Sequence, residues 1–269
     1  MIIIGERINA SNRLVGEAIM KKDSAFIANL ALSQKEAGAD YIDVNTGTGK
    51  FEHEEEKVAM KWLVATVKAA VDLPLAIDSE HPDVLKAALD ECQDENVVIN
   101  SVTAEPEKLA VIAPVAAERK ALLVALAMGS EGVPATVEKR LDACEFIVDY
   151  MTQKGVEIEQ ILFDPLVIPV SVDSSQGLVT LKTIESIKNR YPGARTIVGL
   201  SNISYGLPNR KLVNRGFLLM AAYAGLDAAI LDPLDTRIMS VAKVADTLTN
   251  NDKMCRAYIR AHRKGIIVS

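Results

Sequence analysis

The chain has 269 residues, 49% hydrophobic and 25% charged, with 30 Lys and Arg against 36 Asp and Glu and a formal net charge of −6. Such a composition excludes a disordered or fibrous chain, and its acidic balance argues against nucleic acid as the main partner, because phosphate binding wants a basic face. Cys92, Cys144 and Cys255 lie far apart in no metal-like spacing, which argues against a disulfide framework or zinc ribbon. The three histidines, His53, His81 and His262, read as too few and too scattered for a metal site. No apolar run approaches the roughly 18 residues of a membrane span, and no basic region precedes the short apolar N-terminus. The expectation is a cytoplasmic protein without a membrane partner.

Met1-Ile2-Ile3-Ile4-Gly5-Glu6 is a β-branched run that stops at a glycine and a carboxylate, as a strand buried on both faces would. Asp23-Ser24 then caps a helix with Phe26, Ile27, Leu30 and Ala31 on one face, and Gly38 follows its last turn. Further strands are predicted near 41–45, 75–78, 97–101, 122–128, 161–164, 196–200 and 228–231. Helices are predicted near 54–71, 82–92, 105–119, 137–154, 177–190, 212–225 and 236–248. Ala37-Gly38-Ala39-Asp40 is echoed by Ala224-Gly225-Leu226-Asp227, each placing a glycine two residues before an Asp that opens a strand.

Alternation of this kind means parallel crossovers, and eight units at about 250 residues have the size of a (β/α)8 TIM barrel, an α/β fold with a parallel eight-stranded barrel. A doubly wound sheet is the runner-up, but Gly5-Glu6-Arg7-Ile8-Asn9 is unlike its glycine-rich first turn. With no linker in sight, residues 1–269 read as a single domain with an extra helix near 250–263.

A barrel's active site forms at the C-terminal ends of its strands. Those ends carry Glu6 with Asn9, Asp43 with Asn45, then Asp78, Asn100 and Ser101, Asp164, Ser201 with Asn202, and Asp232. Any one of them could merely turn the chain or cap a helix, but together they converge on one mouth. The set holds no His, Cys or strand-ending Lys, unlike a Schiff-base aldolase or most metal hydrolases. Asp accepts two N–H donors side by side and Asn offers a donor and an acceptor, which suits the edge of a nitrogen-rich heterocycle such as a pterin.

Other signals are weaker. Thr46-Gly47-Thr48-Gly49-Lys50 lacks the spacing of a phosphate loop and reads as a flexible connection. The acidic run 52–56 reads as a solvated helix start, with a partner-docking edge as the alternative. Trp62 reads as core or an inter-subunit contact. Asp78-Ser79-Glu80-His81 lacks the Asp-x-His-x-x-Gly form by which corrinoid modules ligate cobalt.

The segments Ile4-Gly5-Glu6-Arg7-Ile8-Asn9, Asp43-Val44-Asn45, Ile77-Asp78-Ser79, Ile99-Asn100-Ser101, Asp164-Pro165-Leu166, Gly199-Leu200-Ser201-Asn202-Ile203-Ser204 and Asn214-Arg215 fall in one order along residues 1 to about 250. In this the chain resembles the methyltetrahydrofolate:corrinoid methyltransferases, pterin-binding enzymes related to the folate domain of cobalamin-dependent methionine synthase. The resemblance implies a homodimeric barrel that binds methyltetrahydrofolate or tetrahydrofolate as substrate. It also implies a corrinoid supplied by a partner protein and not bound permanently, with no resident metal. Carried over, Asp78, Asn100 and Asp164 would hold the pterin edge, Glu6, Asn9 and Ser201 would line the pocket, Asn202 would reach N5 as the catalytic group, and Arg210 would lie nearby. The implied role is in one-carbon metabolism, either the acetyl-CoA pathway or O- or N-demethylation.

Two rivals remain. Dihydropteroate synthase shares the barrel and pterin pocket but expects a Lys and a Ser-x-Arg near the last strands, where this chain has Leu200-Ser201-Asn202 and Asp232-Pro233-Leu234-Asp235. A non-catalytic folate-binding subunit would use the same polar pocket.

Overall fold

A computed structural model of the chain describes residues 1–47, 51–92 and 96–268. The described residues run β1 (Ile2–Asn9), α1 (Arg13–Met20), α2 (Ser24–Glu36), β2 (Tyr41–Asn45), α3 (His53–Ala70), β3 (Leu75–Asp78), α4 (Pro82–Glu91), β4 (Val98–Val102) and α5 (Pro106–Arg119). They continue with β5 (Leu122–Leu126), α6 (Val137–Gln153), β6 (Ile161–Asp164), α7 (Gln176–Arg190), β7 (Arg195–Gly199), α8 (Arg210–Ala224), β8 (Ala228–Leu231), α9 (Thr236–Leu248) and α10 (Arg256–Arg263).

The strands pair in chain order, all parallel, and β8 returns to β1 to close the barrel. Alternation along each strand separates two cores. Ile4, Ala76, Val98, Val124, Leu162, Ile197 and Ala228 pack against one another inside the barrel, as expected of a filled TIM-barrel interior. Their strand neighbours Ile3, Ile77, Ile99, Leu123, Phe163 and Val198 pack outward against the helices. Half-buried Trp62 on α3 packs against this outer core.

The repeated Gly-x-Asp has a shared physical basis. Gly38 and Gly225 take left-handed φ values of 93° and 108° after α2 and α8, where a side chain would be strained. Asp40 then accepts from the backbone N–H of Ile3 at 2.8 Å, and Asp227 from that of Thr196 at 2.8 Å. Each Asp therefore ties the start of the preceding strand to the strand it opens.

Four details differ from the sequence expectation. β1 continues to Asn9, with a register irregularity against β2 between Gly5 and Ile8. The short helix α1 follows it, capped by Asn12, whose side chain accepts from Leu14 and Val15. On α2 the buried face is Ile27, Ala31 and Gln34, while Phe26 is 38% exposed. Gln34 is held inside because its Oε1 accepts from Arg7 N at 3.0 Å. The trailing helix is shorter than 250–263, because Met254 and Cys255 are left-handed (φ 58° and 54°) and Asp252 caps Ala257 N and Tyr258 N at 2.9 Å each.

Candidate active site at the barrel mouth

Register puts half of the site on one rung. Asn9 pairs with Asn45, Asn45 with Asp78 and Asp78 with Asn100, across four adjacent strands. Paired residues project to the same side of a sheet. Asn45 Nδ2 donates to Asp78 Oδ2 at 2.7 Å, and Asn45 Oδ1 accepts from Gly47 N at 2.8 Å. Asn100 Nδ2 donates to Asp43 Oδ1 at 3.3 Å; Asp43 lies two residues below Asn45 and is 2% exposed. Asn9 Oδ1 accepts from Ser11 N at 2.9 Å and so also turns the chain leaving β1.

The far side is built by β6, β7 and β1. Asp164 ends β6, and its Oδ1 accepts from Leu166 N at 2.8 Å. That loop is held by Arg140 of α6, a fully buried side chain that donates to Pro165 O (2.7 Å), Leu166 O (2.9 Å), Pro134 O (3.0 Å) and Gln176 Oε1 (2.8 Å). After β7 the chain tightens into a 3₁₀ turn, Leu200–Ser204, where Ser201 Oγ donates to Glu6 Oε1 at 2.8 Å. Asn202 stands exposed in this turn, its carboxamide folded back over Gly199; a Cβ on Gly199 would lie 3.3 Å from Asn202 Nδ2. Arg210, the first residue of α8, donates to Ser201 O (2.7 Å) and Ser204 Oγ (3.1 Å), and its guanidinium lies 5.8 Å from the Tyr205 ring centre. It braces the turn that carries Asn202.

The carboxyls here are held against their preference for water. Burial pushes Asp78 up to about 6, opposed by the hydrogen bond from Asn45. Burial pushes Asp164 up to about 6, opposed by Leu166 N–H and the charge of Arg140. Asp43 is raised well above its ordinary range by burial and by the neighbouring charge of Asp78, against the bond from Asn100. Glu6 is raised by burial, which outweighs the bond from Ser201. Several displaced carboxyls in one place mark a site that expects donors.

Glu6, Ser201 and Arg210 line a cavity of about 340 Å³ with Asn214 and Asp232. Asp78 and Asn45 line another of about 460 Å³ on the β2–β3 side. The eight predicted residues thus lie on the C-terminal halves of strands, in the turns after them or, for Arg210, at the start of α8, but in this arrangement of side chains they do not share one cavity.

Sequence reasoning underrated Asn45, whose partner is Asp78, and missed Arg140, which carries no local signal inside its helix. It also misread part of the acidic run. Glu52 does cap α3, but Glu56 is 9% exposed and faces inward, with Ser79 Oγ 3.4 Å and Thr46 Oγ1 3.5 Å from its Oε1. Nor are the histidines all scattered, since the rings of His53 and His81 meet edge to face at 4.8 Å. Residues 48–50 of the phosphate-loop lookalike lie outside the described residues. Among the described residues no helix is long and apolar enough to cross a membrane.

A family model described as pterin binding enzyme matches residues 5–232. The chain is 39% identical over 269 residues to a methylcorrinoid:tetrahydrofolate methyltransferase of Eubacterium limosum, covering 99% of this chain and 98% of that protein. It is 32% identical over 244 residues to a methionine synthase of Mycobacterium leprae, covering 86% of this chain and 20% of that longer protein. Among solved structures it is similar to a dihydropteroate synthase from Vibrio fischeri (TM-score 0.71, 15% identity, 93% of each chain). Another similar structure is a dihydropteroate synthase from Xanthomonas albilineans with 7,8-dihydropteroate (TM-score 0.65, 19% identity, 93% and 92% covered). At these identities the likeness is one of fold.

Proposed function

Because the chain belongs to the pterin-binding enzyme family, we propose that it is a methyltransferase acting between N5 of a tetrahydrofolate and the cobalt of a corrinoid carried by a separate protein. The observation that carries this reading is the ring of buried acids and amides at the strand ends, in a chain similar along its whole length to an enzyme of that name. The likeness to dihydropteroate synthases is confined to the fold. By analogy with the E. limosum enzyme, the working direction is from corrinoid to tetrahydrofolate, which would complete a demethylation. With it we propose a homodimer, as the family resemblance implies, and a cytoplasmic location; sedimentation tests the first.

The residues present fit a pterin. Asp78 and Asp164 are acceptors without a cationic hydrogen-bond partner among the described residues, so N–H donors on a ligand would offset their burial. Asn100 adds a carboxamide at the same level and holds Asp43 beneath it. Anchored by that edge, the ring presents N5 to Asn202.

The corrinoid, when its carrier docks, supplies the cobalt with which the methyl group is exchanged. The barrel's task is N5, which gains a proton as a methyl leaves and loses one as a methyl arrives. Among the described residues the acid nearest in the hydrogen-bond network is Glu6, held by Ser201 and raised by burial, which makes it a weak proton donor. The Asn202 amide can instead bond N5 more strongly as the nitrogen takes on positive character, which is differential binding of the transition state. Arg210 and Ser201 fix the turn that aims it.

A methyl-transfer assay with a reduced corrinoid protein tests the reading. Saturable folate binding without transfer would favour the non-catalytic subunit. The chain purified alone should show no corrinoid absorbance; stoichiometric corrinoid retained through gel filtration would refute a separate carrier.

A further inference from the structure

On the β2–β3 side of the mouth, we propose that His53, Glu56 and His81 bind one divalent transition-metal ion of the zinc class. One ligand atom from each lies within 4.8 Å of the others. His53 and Glu56 share a face of α3 three residues apart, while His81, the residue capping α4, comes from the loop after β3. Two of the chain's three histidines thus meet across 28 residues of sequence, their rings edge to face.

Glu56 is the independent observation. It is nine-tenths buried, yet its Oε1 receives only the long contacts from Ser79 and Thr46, and its Oε2 only His81 Nε2 at 4.0 Å among the described residues. A buried carboxylate without a short hydrogen bond or a close cation is costly. A cation placed between it and the two imidazoles would relieve that cost.

The surroundings fit. Asp83 contacts His53 Nε2 at 2.6 Å, the kind of carboxylate support that orients ligating histidines. The nearby charge of Lys57 is taken up by Asp83 (2.6 Å) and Glu54 (2.7 Å). Zinc bonds of about 2.0–2.2 Å require the ligand atoms to draw in by roughly an ångström. Rotation of the two half-exposed histidine side chains, 46% and 42% exposed, allows it. Two imidazoles and one carboxylate favour Zn²⁺, Co²⁺ or Ni²⁺ over Mg²⁺ or Ca²⁺, which prefer oxygen alone. A fourth position opens to water in the 460 Å³ cavity. Bound there, the ion would pin the start of α3 to the loop after β3, beside Asp78. The proposal does not depend on the methyltransferase reading.

Chelator-treated protein is titrated with Zn²⁺ by calorimetry at pH 7.5, and with Co²⁺ by visible absorption. One equivalent should bind, and His81→Ala and Glu56→Gln should each weaken binding by about tenfold or more, the scale seen when support around a metal is lost. Asp83→Asn should weaken it less, and His262→Ala and Cys255→Ser should leave it unchanged. Absence of saturable Zn²⁺ binding, full affinity in His81→Ala, loss only in Cys255→Ser or His262→Ala, or displacement by equimolar Mg²⁺ would each overturn the site. Should Glu56→Gln fail to fold by circular dichroism, the exposed His81 variant decides alone.

Discussion

The two sides of the barrel mouth treat their carboxylates in opposite ways. On the β7–β8 side Asp232 and Asp235 have cationic company, while Glu6 beside them is raised by burial: Arg7 reaches Asp232 at 3.3 Å, and Arg215 meets both oxygens of Asp235 at 3.1 Å. Burial would raise Asp235, but the bonds from Arg215 and the N–H of Ile238 pull it below its ordinary range. From β2 to β6 the acids are held mostly by neutral groups, and Asp43, Asp78 and Asp164 are all pushed up. One side has its charges paired as it stands, and Arg210 and Glu6 on it hold the turn that carries Asn202. The other is left short of donors, as a surface awaiting the N–H groups of a ligand would be.

The largest effect expected tests the division of labour itself. Asn202→Ala should slow single-turnover methyl transfer at saturating folate by about 10²–10³-fold, the range for losing one hydrogen bond that strengthens in the transition state, here from N5–H to the amide oxygen. Equilibrium folate affinity should fall by much less. Parental transfer once saturated would make Asn202 a binding residue and return catalysis to the other side of the mouth.

The next effect is on stability. Asp78 and Asp164 have folded-state values near 6 against an ordinary 3.8. A raised value contributes stability that is fully present below the unfolded pKa and is lost as pH rises through the folded one. Each displacement corresponds to roughly 3 kcal/mol at most. The unliganded chain should therefore melt several degrees higher at pH 5 than at pH 7.5, and saturating folate should shrink the difference, because its donors favour the ionised acids. Groups with depressed values, such as Asp235, lose their contribution only as pH falls below about 4. Scanning calorimetry with and without ligand decides; a chain less stable at pH 5 would contradict the uncompensated state of this side.

The third effect is on affinity. Asp164→Ala should weaken folate binding by about 1–3 kcal/mol, the cost of leaving buried polar partners unmet, and titration calorimetry reads it directly. Unchanged affinity would remove Asp164 from the pterin site.

How much of this was legible beforehand depended on whether the signal was local. β-branched runs, capping residues and the repeated Gly-x-Asp each act within a few residues, and from them the barrel could be read in order. The acids and amides could be placed at strand ends for the same reason. Their pairing could not, because the alignment of Asn45 with Asp78 is a property of strand register. Arg140 was invisible because its partners lie up to 40 residues away and are mostly backbone carbonyls, which sequence does not mark. His53 and Glu56 looked like a solvated helix start until the loop after β3 brought His81 against them. Helical periodicity puts Phe26 on the inner face of α2 but gives no sign that Gln34 is buried there, because the backbone N–H of Arg7 that holds it lies on another element.

The smallest expected effect is also the sharpest check on the contrast between the two sides. Asp235 does two jobs: it caps α9 by accepting from Arg237 N and Ile238 N, and it pairs with Arg215. Asn is as good a cap as Asp, so Asp235→Asn should keep the helix start and lose only the charge. The pair is mostly buried, 19% and 12% exposed, and Arg215 Nε is itself without a partner. Neutralising Asp235 would leave that guanidinium less compensated still. Lys211, 3.6 Å from Asp235 but 72% exposed, adds little. The expected loss is about 0.5–1 kcal/mol, a drop in Tm of roughly 1–4 °C for a chain of this size. Asp78→Asn, in contrast, removes a charge that is buried without a counter-charge while keeping an acceptor for Asn45, and should raise the Tm of the unliganded chain at pH 7.5. Opposite signs for the same chemical change would establish that one side of the mouth is built for stability and the other is held ready for a ligand. Equal signs would mean that the difference between the two sides lies in burial alone.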